Sequence, residues 1–160
     1  MPYLIFKLVH VAAVIIFLGN IITGLFWKAH GDRTRDPRII ANMMDGIIRA
    51  DRLFTLPGVL LIIIAGFGGA GIGHLPVLRT GWIFWSIVLF TVSGLAFMFW
   101  LAPLQKKMLA VMRAGEASGK PDWDAYHRLS RQWEFWGAVA LLTPLAALVL
   151  MVLKPAIRGL

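Results

Sequence analysis

Residues 8–27 read LVHVAAVIIFLGNIITGLFW, a run of 20 residues that contains no Asp, Glu, Lys or Arg. A helix rises about 1.5 Å per residue, so a run of this length crosses the roughly 30 Å hydrocarbon core of a bilayer. Three further charge-free runs follow, at residues 53–78, 80–105 and 135–153. The sequence therefore predicts an all-α, polytopic membrane protein, an up-down bundle of four transmembrane helices.

Composition agrees with this prediction and excludes several function classes. The chain is 59% hydrophobic, whereas soluble domains contain about 45–50% apolar residues. We expect one four-span membrane domain over residues 1–160, with spans at about 3–28, 53–73, 81–104 and 133–153. The chain has no cysteine, which excludes disulfides, thiolate metal sites and thiol catalysis. No phosphate-binding loop, zinc motif or catalytic triad pattern is present.

The placement of positive charge predicts the orientation. The formal net charge is +8, and most basic residues fall in the two stretches 28–52 and 106–131. Cytoplasmic segments collect Lys and Arg, so both stretches are predicted to be cytoplasmic and the N and C termini periplasmic. Contact with anionic headgroups accounts for this charge, and we predict no nucleic acid partner.

The segments between spans have helical patterns of their own. A polar loop is predicted at residues 29–38, ending in Asp36-Pro37, a plausible start for the next helix. Residues 39–54 then place apolar side chains at three- and four-residue spacing, with Asp45 and Arg49 positioned to pair. The bundle is therefore expected to carry cytoplasmic amphipathic helical extensions, lying on the membrane surface or packed under the bundle.

His10 is the one ionisable side chain that the pattern places clearly within a span. Neutral imidazole is the usual ligand of a haem iron, and ionisable groups within a membrane are costly. Phe17 and Gly24 project to the same side of the predicted helix and would leave room for a flat ligand. The alternative is a structural His10 that hydrogen-bonds a neighbour, with Gly24 serving ordinary helix packing.

Two further groups of residues leave their roles open. Asp51 and Arg52, at the start of the second span, are expected to anchor it and pair between helices, or to contact a haem propionate. Met108 and Met112, with a methionine pair at residues 43–44, have thioethers that suit Cu(I). All four methionines lie on apolar stripes, where methionine is ordinary packing material.

A set of short motifs along the four spans carries a family resemblance. They are Lys7–His10 with Gly19 and His30, Arg52–Gly58 with Gly66, Tyr126–Leu129, and Lys154-Pro155. With these motifs the chain resembles a bacterial family of predicted integral membrane proteins of unknown function. More distantly, it resembles the HemJ-type protoporphyrinogen oxidases and the membrane domain of CopD copper-resistance proteins.

The resemblance implies a haem site and a location. His10 corresponds to the haem b ligand expected in HemJ-type proteins, which implies a redox or haem-handling protein of the bacterial inner membrane. HemJ-like proteins usually carry a further His in the third span, and this chain has none. The iron would then be left open, or take Met98 or His10 of a second copy in a homo-oligomer. The alternative is a non-catalytic scaffold, or a protein handling copper or small solutes, and whether any reaction is catalysed stays open.

Overall fold

The computed structural model describes all 160 residues and contains four long helical rods. They cover Pro2–Thr34, Pro37–Ile72, Gly81–Ser118 and Trp123–Leu153, and each is apolar enough to cross a membrane. The rods contain 31 to 38 residues, about 45–57 Å at 1.5 Å per residue, so each is longer than a bilayer core is thick. The all-α fold with four spans is confirmed.

Two of the rods contain a π-helical turn between two α-helices. The six α-helices are α1 Pro2–Thr34, α2 Pro37–Ala50, α3 Leu56–Ile72, α4 Gly81–Ala96, α5 Ala102–Ser118 and α6 Trp123–Leu153. The π-helical turn Asp51–Thr55 joins α2 to α3, and the π-helical turn Phe97–Leu101 joins α4 to α5. The amphipathic segment α2 is therefore the continuation of a span, packed under the bundle against α5.

A proline explains each π-helical turn. Pro57 and Pro103 both lie two residues beyond a turn. A proline has no N–H to donate, and its ring crowds the carbonyl four residues earlier, which disfavours a normal helical turn at that point. In the wider turns, the amide of Leu56 donates to the Asp51 carbonyl and the amide of Ala102 donates to that of Phe97, five residues back. The helices thus continue past both prolines.

Both chain ends lie at the same end of the bundle, which we call the terminal end. The ring of Tyr3 packs against Gly73, and the amide of Leu160 donates to the carbonyl of Leu78 over 2.9 Å. A Cβ on Gly159 would clash with that same carbonyl, so only glycine fits there. The opposite end, with the Arg35–Asp36 link and the turn after Ser118, is called the basic end.

The basic end has the larger core. Its cluster of 12 buried side chains includes Met44, Met108, Met112 and Tyr126. In the other half, α1 pairs with α3 and α4 pairs with α6, while α3 does not pack against α4. The buried cluster there is smaller, with four members: Ala13, Phe17, Leu18 and Ile62. Most apolar side chains of the spans face outward, as expected in lipid.

The predicted loop at residues 29–38 is wrong in its length. Helix α1 continues to Thr34, and only Arg35 and Asp36 lie outside helices. The extra turns persist because Lys28 and Asp32 find partners on α6. The start of α2 is as predicted: the carboxylate of Asp36 accepts a hydrogen bond from the amide of Arg38.

Candidate functional site

The His10 side chain ties α1 to α3. Its Nδ1 lies 2.9 Å from the carbonyl oxygen of Ile62. A carbonyl only accepts hydrogen bonds, so Nδ1 carries a proton, and the tautomer with this proton has its free lone pair on Nε2. Gly66 gives the ring its space, since a Cβ there would lie 3.1 Å from both Cε1 and Nδ1 of His10. The half-buried imidazole is thus held in one tautomer by backbone alone.

The other three residues expected beside a haem lie elsewhere. Phe17 is buried in the core, against Gly58 of α3 and edge-to-face with Phe90 of α4 at 5.5 Å between ring centroids. Gly24 faces a side chain of α2, and Arg52 is exposed on the first π-helical turn. None of the three is brought together with His10. Their roles beside a haem stay predictions.

The methionines proposed as copper ligands divide between core and periphery. Met44, Met108 and Met112 are fully buried in the basic-end core. Met43 packs over Gly31, where a Cβ would clash with its sulfur. Met98, named as a second iron ligand, is 57% exposed on the second π-helical turn. Packing accounts for the three core methionines, and copper binding stays a prediction.

Asp51 bonds between helices, to residues of the first and third rods. Its carboxylate bonds to Asn20, which lies inside the charge-free run 8–27. Two residues in the sequence indicated this contact. Asn20 and Gln105 are strongly polar amides in otherwise apolar runs, and both are partners of Asp51.

The Asp51 carboxylate joins three rods through neutral donors. Oδ1 accepts from Nδ2 of Asn20 at 3.1 Å and from the hydroxyl of Thr55 at 2.9 Å. Oδ2 accepts from Nε2 of Gln105 at 2.9 Å, and Asn20 also donates to the Thr55 hydroxyl at 2.9 Å. Asp51, Thr55 and Gln105 are all buried. We call these four residues the Asp51 cluster.

A buried lysine organises the basic end. Lys28 is only 4% exposed, and its Nζ lies 2.7 Å from Oδ2 of Asp32 and 2.5 Å from Oε1 of Glu134. It also donates to the hydroxyl of Ser130, and it lies 5.6 Å from the ring centroid of Trp133. The ammonium group thus has carboxylate, hydroxyl and aromatic partners, which satisfies a buried cation.

The same cluster shifts two acid groups outside the apolar runs. Burial and the carboxylate of Asp32, to which the hydroxyl donates over 2.5 Å, raise the pKa of Tyr126 far above its usual range. Burial alone would raise the pKa of Glu134, but hydrogen bonds from Lys28 and Ser130 together lower it below the usual glutamate range. Glu134 is therefore ionised, and its pair with Lys28 intact, at neutral pH.

Comparison with known proteins identifies the family. Residues 4–155 match the family model described as "Predicted integral membrane protein (DUF2269)". The chain belongs to this family. No curated protein and no solved structure matches the chain. Family membership confirms a membrane protein of unknown function, while the similarity to HemJ-type and CopD proteins stays a prediction.

In this DUF2269 member, the polar groups form three separate layers along α1. His10, Asn20 and Lys28 are 10 and 8 residues apart, which is about 15 Å and 12 Å along the helix. The remaining histidines, His30, His74 and His127, are exposed. No group of three or more metal-ligating side chains converges.

Proposed function

We propose that this DUF2269 member binds haem b through Nε2 of His10 and serves a redox or haem-handling role. The observation that carries the proposal is the hydrogen bond from Nδ1 of His10 to the carbonyl of Ile62. Histidines that bind metals commonly donate their other ring N–H to a carbonyl, which fixes the tautomer and raises the basicity of the ligating nitrogen. The implied resemblance to HemJ-type proteins points to the same residue.

The residues around the ring fit an axial ligand. His10 would hold the iron, the carbonyl of Ile62 orients the ring, and Gly66 keeps a side chain from displacing it. A bound haem would supply one-electron redox chemistry. Because Phe17 and Gly24 are covered within the chain, the edges of the macrocycle would contact lipid or a second copy of this chain. Homo-oligomerisation is part of the proposal for that reason.

The proposed setting is the bacterial inner membrane, with the basic end in the cytoplasm. Twelve of the sixteen basic residues lie in the stretches 28–52 and 106–131, toward that end, as expected for cytoplasmic segments. Both chain ends and the turn before α4 then face the periplasm. This orientation places His10 in the periplasmic half of the membrane, three residues beyond Lys7, or about 4.5 Å along α1.

The absorption spectrum of the purified protein tests the proposal. We expect a haem Soret band in the wild type that is lost in His10→Ala and retained in His74→Ala, a matched control at an exposed histidine of the terminal end. A colourless, folded wild-type protein produced with ample haem would contradict the proposal. It would leave His10 as a structural contact between α1 and α3 in a non-catalytic scaffold.

A further inference from the structure

The carboxylate of Asp51 has no cationic partner. None of the ion pairs in the structure involves it. Lys28 on α1 is engaged by Asp32 and Glu134, and Asp45 on α2 by Arg49 and Arg113. The charged residues nearest the cluster along its rods are exposed, and bond to none of its members: Arg49, Arg52, Lys106 and Lys107.

This carboxylate is also buried near the end of the apolar runs, two residues before the run 53–78. Asn20, which donates to it, is seven residues inside Trp27, or about 10 Å along α1. The bundle buries Asp51 to 8% exposure, away from bulk water. An ionised carboxylate without a counter-charge is strongly disfavoured in such surroundings, and the usual response is neutralisation.

The partners of Asp51 suit both of its protonation states. The amides of Asn20 and Gln105 each carry donors and an acceptor oxygen, and the hydroxyl of Thr55 can donate or accept. They donate to the carboxylate when Asp51 is ionised. When it is protonated, rotation of one amide or of the hydroxyl presents an oxygen to the new O–H. Each carboxylate oxygen thus has a partner that can also accept a hydrogen bond, which a fixed cation could not do.

We propose that Asp51 is a reversible proton-binding site in the interior of the bundle, exchanging its proton with water at the basic end. An O–H bond forms at Oδ1 or Oδ2 as a hydronium ion gives up its proton, and release reverses the step. The basic end is the nearer surface, because Asn20 lies closer to Trp27 than to the start of α1. The site is separate from His10, about 15 Å away along α1, so it does not depend on haem.

Infrared difference spectroscopy tests this site on the full-length protein in lipid. Between acidic and alkaline buffers, we expect the carbonyl stretching band of a buried, protonated carboxylic acid to appear and disappear reversibly. Asp51→Asn should lose the band, while Asp45→Asn, which removes a carboxylate paired with Arg49 at the basic end, should retain it. A band that persists in Asp51→Asn would overturn the proposal, as would its absence in the wild type at every pH.

A second variant covers the case in which Asp51→Asn does not fold. Gln105→Met keeps the carboxylate but removes the donor to Oδ2, so the band should persist to higher pH than in the wild type. An unchanged titration would contradict the role of the cluster. The measurement is also repeated with sodium replaced by choline: an unaltered titration supports proton binding, and loss of the band on adding sodium would show a sodium site instead.

Discussion

The ammonium nitrogen of Lys28 lies 2.5 Å from Oε1 of Glu134 and joins the first helix of the chain to the last. Lys28 is nearly inaccessible, whereas the side chain of Glu134 is 56% exposed. The pair therefore lies at the edge of the basic-end core, with the lysine buried and the glutamate in contact with solvent. With the hydrogen bond from Tyr126 to Asp32, this pair forms the polar contact between α1 and α6.

Replacing this lysine should weaken the bundle. Lys28→Met keeps the aliphatic stem but leaves the carboxylates of Asp32 and Glu134 facing each other without a cation. Loss of one partner of a buried pair costs about 3–5 kcal/mol, and partial exposure of the carboxylates reduces this to about 1–3 kcal/mol. A lower thermal midpoint in detergent micelles would show this.

The matched control is an exposed pair at the same end. Arg38→Gln breaks a contact of 3.7 Å with Glu116, and both side chains are largely solvated. Its effect should stay within about 0.5 kcal/mol. Equal midpoints for Lys28→Met and Arg38→Gln would show that the buried lysine has no special role in stability.

The lowered pKa of Glu134 predicts a dependence of stability on pH. The unfolded chain binds a proton at this glutamate near its ordinary pKa of 4.5, and the folded chain only at lower pH. The stabilisation is therefore complete above that value and is lost as the pH falls through the folded pKa. Thermal midpoints of the wild type and Glu134→Gln should converge in acid and separate toward neutrality. Parallel curves across this range would contradict the assignment.

Apolar run length and capping made most of the fold predictable. The charge-free runs locate all four rods, and Asp36 begins α2 as its position indicated. The π-helical turns were not predictable in detail. Pro57 and Pro103 indicate a local distortion, but whether a helix breaks, kinks or widens depends on the neighbours that hold it. The length of α1 was underestimated because two partners of Lys28, Ser130 and Glu134, lie on α6, more than 100 residues away in the sequence.

The same limit applies to the site. A helical wheel places Phe17 and Gly24 beside His10, but it contains no information about the helix opposite. In the structure Phe17 meets Phe90, and Gly24 is covered by Ile47. Asp51 was expected to pair between helices, but its partners were not identified, because Asn20 and Gln105 lie on other rods.

A methyl group at Gly66 should disturb the His10 ring. In Gly66→Ala the new Cβ would lie 3.1 Å from Cε1 and Nδ1, closer than ordinary contact. The ring must shift and weaken its bond to Ile62, so haem affinity should fall by about 10-fold or more, the effect typical of lost orienting partners. Haem titration of the apoprotein, followed at the Soret band, measures this change.

Gly94→Ala provides the control for that titration. Its Cβ would meet nothing within 4 Å, and alanine favours the helix by up to about 1 kcal/mol. We expect its haem affinity to equal that of the wild type. If Gly66→Ala also binds haem like the wild type, the imidazole is not held in the manner proposed.

The orientation of the four spans underlies both the haem site and the proton site. Because the chain has no native cysteine, single cysteines placed at Leu160, His74 and Lys120 can be labelled without interference. A membrane-impermeant maleimide applied to the periplasmic face of spheroplasts should label positions 160 and 74, and position 120 only after permeabilisation. Labelling of position 120 in sealed spheroplasts, or of only one of the other two, would contradict the arrangement.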